Sequence, residues 1–150
     1  MSQQNTPAVP GRILIVDDDA NTLEILRRWL NREGHATVSA DNGAACLAAL
    51  AKDAFDVIVL DVMMPGMDGL QVCERLREHP SWRTIPVVLL TAKDDIETRS
   101  RGMLLGVSEY LTKPVNKLEL FARVQAQLHS RELERKLDAT AATVATLAAK

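Results

Sequence analysis

The chain has 150 residues, 47% of them hydrophobic and 25% charged, with a formal net charge of −2 at pH 7. That composition supports one globular core, and its near balance of charge argues against a global basic field for nucleic acid or an anionic membrane. Residues 1–11 carry Pro7 and Pro10 but neither the basic start nor the apolar stretch of a signal peptide, and no apolar run reaches membrane-spanning length, so a cytoplasmic protein is expected.

Strand-like and helix-like segments alternate along the chain. Ile13-Leu14-Ile15-Val16 is a β-branched apolar run that ends in Asp17-Asp18-Asp19. Leu23, Leu26 and Leu30 follow at helical spacing, and Gly34 suits the stop. Residues 36–39 form a weaker strand candidate, and Asp41 or Asn42 caps a helix carrying Leu47 and Leu50. Val57-Ile58-Val59-Leu60 is a second strong strand, followed directly by Asp61. Asp68 caps a helix through Leu70, Val72, Cys73 and Leu76. Pro86-Val87-Val88-Leu89-Leu90 leads to Thr91, and Asp94 or Asp95 opens a helix with Ile96, Met103 and Leu104. Tyr110-Leu111 is a short last strand closed by Lys113-Pro114, and a final helix starts near Asn116.

The strong strands are continuously apolar, which marks a parallel sheet covered on both faces. Five strands alternating with five helices predict a doubly wound α/β sheet. Cys46 and Cys73 lack CxxC spacing and read as buried free thiols. His35, His79 and His129 sit in polar contexts and are expected to face solvent; Trp29 and Trp82 read as packing or partly exposed surface.

In such sheets the ligand crevice lies beyond the carboxyl ends of the strands. Asp17 and Asp18 end the first strand, Asp61 the third and Thr91 the fourth, and the fifth leads to Lys113. Clustered carboxylates repel one another unless a cation offsets them. Carboxylates with room for water and a phosphate oxygen suit Mg²⁺. A carboxylate beside a metal, an ammonium and a hydroxyl is equipped for phosphoryl transfer with the carboxylate as nucleophile. Asp19 reads as a helix cap, as does Asp68.

Four segments together carry a resemblance: residues 13–19 (ILIVDDD), 61–69 (DVMMPGMDG), 86–92 (PVVLLTA) and 110–114 (YLTKP). In this order and spacing, residues 12 to about 128 resemble the receiver domain of bacterial two-component response regulators, chemotaxis-type receivers included. The resemblance implies a flavodoxin-like sheet of order 2-1-3-4-5. It implies that Asp61 is the phosphoacceptor, that Asp17, Asp18, Asp61 and the backbone carbonyl of Met63 hold Mg²⁺, and that Thr91 and Lys113 contact the phosphoryl group. Tyr110 matches an aromatic that turns inward on activation, and Lys113-Pro114 matches a bond usually cis. A histidine kinase or phosphotransfer protein is the implied donor. The chain is read as a switch and not an enzyme, its catalysis limited to taking and slowly losing its own phosphoryl group.

The expected organisation is a flexible arm over residues 1–11, the receiver over 12–128 and a helical tail over 129–150. In the tail, Leu133, Leu137, Thr140, Val144 and Leu147 step by four, three, four and three, the spacing of a coiled-coil seam. The tail therefore reads as a helix continuous with the last receiver helix, and a homodimer is expected through it and through the face of the fourth and fifth helices. Three alternatives stay open. The chain is the receiver of a larger regulator whose effector follows Lys150, a phosphate-independent adaptor, or a phosphatase using Asp17-x-Asp19. The phosphatase reading leaves the other three segments unexplained.

Overall fold

The computed structural model describes residues 9–92 and 95–148, with side chains described as far as residue 141. Most of the arm, Lys93, Asp94 and the side chains of Val144 and Leu147 therefore lie outside the described residues. In chain order the elements are β1 (Arg12–Val16), α1 (Ala20–Arg32), β2 (Ala36–Ala40), α2 (Gly43–Lys52), β3 (Val57–Asp61), α3 (Gly69–Glu78), β4 (Val87–Thr91), α4 (Ile96–Leu104), β5 (Glu109–Thr112) and α5 (Lys117–Ala148).

The helix starts are set by side chains that accept from backbone N–H groups otherwise left orphaned. Asp19 accepts from Asn21, Asn42 from Ala45, and Asp95 from Thr98. Asp68 forms a capping box with Gln71. Each such cap stabilises its helix by about 1 kcal/mol. They also decide where each strand-to-helix turn falls, and so where the strand-end acids sit.

All strand pairs are parallel, in the order β2-β1-β3-β4-β5. This is the flavodoxin-like sheet. Alternate strand residues feed two separate cores, which is why the central strands are apolar throughout. Leu14, Val16, Ile58, Leu60 and Leu89 meet Cys46 and Leu50 of α2 and Val72, Cys73 and Leu76 of α3. Ile13, Ile15, Val57, Val59, Val88 and Leu90 meet Leu26 and Leu30 of α1 and Leu120, Val124 and Leu128 of α5. Burying each such side chain contributes roughly 1.5–3 kcal/mol. Both cysteines are buried free thiols, as their apolar settings predict.

The expectation that all three histidines face solvent fails for His35, which is 5% exposed. Its Nδ1 accepts from the Gly11 N–H at 3.2 Å, tying the turn before β2 to the approach to β1. His79 is half-buried and stacks on Trp82 with ring centroids 3.8 Å apart. His129 is also half-buried, 3.2 Å from Oε1 of Gln125.

The last helix runs unbroken from Lys117 to Ala148. Its middle is pinned to the base of the sheet, the end away from the strand-end acids. The Gln125 side chain makes two 3.0 Å hydrogen bonds with the backbone of Val9, accepting from its N–H and donating to its carbonyl. Asp56, just before β3, accepts from the backbone N–H of Arg12 at 2.9 Å and from Arg135 at 3.0 Å, and pairs with Arg131 at 3.8 Å. Arg131 also donates to the carbonyl of Thr84.

Candidate functional site

Four neighbouring strands, β1, β3, β4 and β5, bring the predicted acids, hydroxyl and ammonium together. Asp17 follows β1, Asp61 ends β3 and pairs in register with Leu90, and Thr91 ends β4. Lys113 follows β5 and its backbone N–H donates to the carbonyl of Thr91 at 2.8 Å. The Lys113-Pro114 bond is cis.

Asp17 and Asp61 are buried to 0% and 1% exposure, as is Thr91 at 1%, whereas Asp18 faces out. The Lys113 ammonium lies 3.0 Å from Oδ1 of Asp61 and 3.1 Å from Oδ2 of Asp17. Oδ1 of Asp17 accepts from the Asp19 N–H at 2.9 Å, and Oδ1 of Asp61 accepts from the Met63 N–H at 3.3 Å. Apart from the lysine contact, Oδ2 of Asp17 has no hydrogen-bond partner among the described residues, and Oδ2 of Asp61 and Oγ1 of Thr91 have none. Buried polar atoms are rarely left so, and these three face one crevice with unused acceptor capacity.

Carboxylate oxygens of Asp17, Asp18 and Asp61 come within 4.8 Å of one another. Three carboxylates against one ammonium leave two negative charges uncompensated when all are ionised. Burial, reinforced by the Asp17 charge, raises the pKa of Asp61 above the ordinary carboxylate value, although Lys113 and the Met63 N–H oppose it. Burial works against the Lys113 ammonium, but hydrogen bonds and charges from Asp61 and Asp17 outweigh it and raise its pKa. The lysine is therefore a permanent cation, and the excess acid suits a hard divalent ion with oxygen ligands.

Tyr110 lies in β5 three residues before Lys113, half-buried, its hydroxyl donating to the carbonyl of Arg99 in α4. Arg99 in turn donates to Oγ1 of Thr112 at 2.6 Å, so α4 and β5 are tied twice. The Met63 side chain is 69% exposed at the mouth of the site.

Two contributors escape a reading of the sequence. Arg99 looks like any charged helix residue. Gly69 looks like a helix-start glycine, yet a Cβ there would lie 2.5 Å from the carbonyl oxygen of Asp61 and 2.8 Å from Cα of Val62. The start of α3 leans directly on the backbone that carries Asp61. The only local hint is the glycine following its capping acid eight residues after the strand-end acid.

The response regulator receiver domain family matches residues 13–125. The chain belongs to that family. This receiver is 46% identical to the response regulator PleD of Caulobacter vibrioides over 116 residues, which are 77% of this chain and 26% of that protein. It is 44% identical to the transcriptional regulatory protein TcrA of Mycobacterium tuberculosis over 115 residues, 77% of this chain and 45% of that one. Among solved structures, the receiver domain of the Francisella response regulator 1452 superposes with a TM-score of 0.75 at 31% identity, covering 81% of this chain and 98% of that one. NtrX from Brucella abortus gives a TM-score of 0.80 at 27% identity, covering 88% of this chain and 30% of that one. The receiver thus spans about a quarter to a half of the length of its curated relatives. No described helix of this receiver is long and apolar enough to cross a membrane.

Proposed function

We propose that the chain is a phosphorylation switch whose phosphoacceptor is Asp61. The observation that carries this reading is the free Oδ2 of Asp61: a buried carboxylate oxygen, unpartnered among the described residues, on a side chain held from its other oxygen by Lys113 and the Met63 N–H. In the transfer, Oδ2 attacks phosphorus of a phosphohistidine, the P–N bond breaks, and the imidazole departs with its electron pair. An acyl phosphate remains on Asp61. Lys113 pairs with the incoming phosphoryl oxygens, and the free hydroxyl of Thr91 donates to one of them. This contact draws Thr91 towards the site and opens the space behind it to Tyr110.

Mg²⁺ fits the donor set, since Asp61 holds a free buried oxygen, Asp17 a buried one contacted only by Lys113, and Asp18 adds an exposed one. Those three carboxylates and the Met63 carbonyl would hold it, and when bound it neutralises charge on the transferring group. The chain's own catalysis is then confined to acceptance and slow hydrolysis, with no turnover of an outside substrate. The donor is a histidine kinase or phosphotransfer protein. The short span relative to PleD and TcrA favours a second, compatible reading: this receiver controls an effector in a longer regulator.

Incubation with a small phosphodonor and Mg²⁺, followed by mass spectrometry of the intact chain and its peptides, tests the assignment. Modification is expected at Asp61 and only with the metal. Modification that persists in Asp61→Asn would exclude Asp61 as the acceptor.

A further inference from the structure

The second half of α5 has two unlike sides. Arg131 and Arg135 are one helical turn apart and both reach Asp56, so this side faces the chain's own receiver. Leu133 and Leu137 lie about 200° around the helix from those arginines, respectively, at 100° per residue. They are 59% and 68% exposed, among the few large apolar side chains left open to solvent. The Asp56 clamp therefore fixes which side looks outward, and it is the leucine side.

The leucines are part of a longer stripe. Written as heptad positions, Leu133 is d and Leu137 is a, and the series extends through Ala126 and Ser130 to Thr140, all exposed. Val144 and Leu147 continue the spacing in the sequence, their side chains lying outside the described residues. A stripe with this repeat is buried best by another helix of the same repeat. Small residues at 126 and 130 would let two helices approach closely where they leave the receivers.

The flanking charges choose the orientation. Glu134 sits at e and Lys136 at g. An antiparallel pair centred on the leucines would set Glu134 against Glu134 and Lys136 against Lys136 of the other helix. A parallel pair sets His129 against Glu134 and Lys136 against Ala141, with no like-charge contact. We propose that this outward face of α5 is the docking surface for a second copy of the chain, forming a two-fold symmetric parallel helix pair with the receivers on its outer sides. The proposal stands apart from the phosphoacceptor assignment and is tested in both wild type and Asp61→Asn.

Sedimentation of the full chain from about 10 μM to about 1 mM covers the range in which a short seam associates. Wild type and Asp61→Asn should both show a concentration-dependent dimer. Leu133→Lys with Leu137→Lys should weaken association by about a hundredfold or more while leaving phosphodonor labelling of Asp61 intact, because both side chains are exposed. Ser130→Cys reports orientation, since the two natural thiols are buried. Mild oxidation should link it to itself across a parallel pair, and the leucine replacements should abolish the link. Three results would overturn the proposal: a monomer at every concentration, a dimer that survives the leucine replacements, and a dimer whose Ser130→Cys thiols fail to link. The second result would place the interface elsewhere, with the exposed Ile96, Met103, Leu104 and Leu118 the first place to look.

Discussion

Replacing Asp61 by asparagine should make the metal-free protein more stable. The Asp61 carboxylate is buried, and its charge sits within 4.8 Å of two others. With an effective dielectric of about 20, repulsion from Asp17 alone is roughly 3.5 kcal/mol at that distance. Attraction to Lys113 at 3.0 Å is roughly 5.5 kcal/mol on the same basis, and less after solvent screening, because the lysine side chain is 34% exposed. The two nearly cancel. What is left is the cost of holding an ionised carboxylate out of water, several kcal/mol per ion. The amide removes that cost, keeps the shape, and leaves Lys113 its contact with Asp17. A gain of about 2 kcal/mol is expected, and for a domain of this size each kcal/mol raises Tm by roughly 2–4 °C. Thermal unfolding followed by circular dichroism in a chelator measures it, with a rise of about 4–8 °C expected. Adding Mg²⁺ should raise the Tm of wild type and raise that of the variant less. A variant that melts below wild type in chelator would show that the lysine pairs dominate and that the crevice is not acid-strained.

Gly69→Ala should cost about 1–3 kcal/mol from overpacking and slow labelling of Asp61, since its new methyl would push on the Asp61 carbonyl; urea melts and labelling kinetics check both. Burial lowers the pKa of His35, so the unfolded chain binds the extra proton first; stability should be full above about pH 6.5 and fall as the pH drops below it. Denaturant midpoints across that window should fall in wild type and stay flatter in His35→Gln; equal slopes would remove His35 as the cause. Hydrolysis of the acyl phosphate should be slow, because the exposed Met63 offers no hydrogen bond to an attacking water. Met63→Asn should speed that hydrolysis by about five- to tenfold, the worth of one hydrogen bond, as followed by loss of the phosphorylated mass.

Much of this arrangement is legible in the sequence because its signals are local. Val57–Leu60 and Val87–Leu90 are apolar at every position, so burial on both faces follows without knowing the partners. Asp19, Asn42, Asp68 and Asp95 cap by reaching two or three residues ahead. The rule that ligands gather beyond the carboxyl ends of the strands then assembles Asp17, Asp61, Thr91 and Lys113. What stays hidden depends on residues distant in the chain. His35 is buried because Gly11 happens to offer it a donor, and its polar neighbours in sequence point the other way. Asp56 looks like a turn acid, yet its partners are 44 and 79 residues away. Gly69 matters through the backbone it nearly touches, and no side-chain pattern encodes that approach.

The Asp56 clamp makes α5 a lever with a fulcrum. From Leu120, packed beneath the sheet beside β5, to Arg135 at the clamp the helix rises about 22 Å; from Arg135 to Ala148 it rises about 20 Å more. The arms are nearly equal, and the inner one begins a few residues after Lys113. A tilt of about 10° about the clamp moves the far end by about 3.5 Å, roughly the width of one side-chain contact. A rigid helix turned about the clamp would carry a displacement of its inner arm, nearly undiminished and reversed in direction, to its far end.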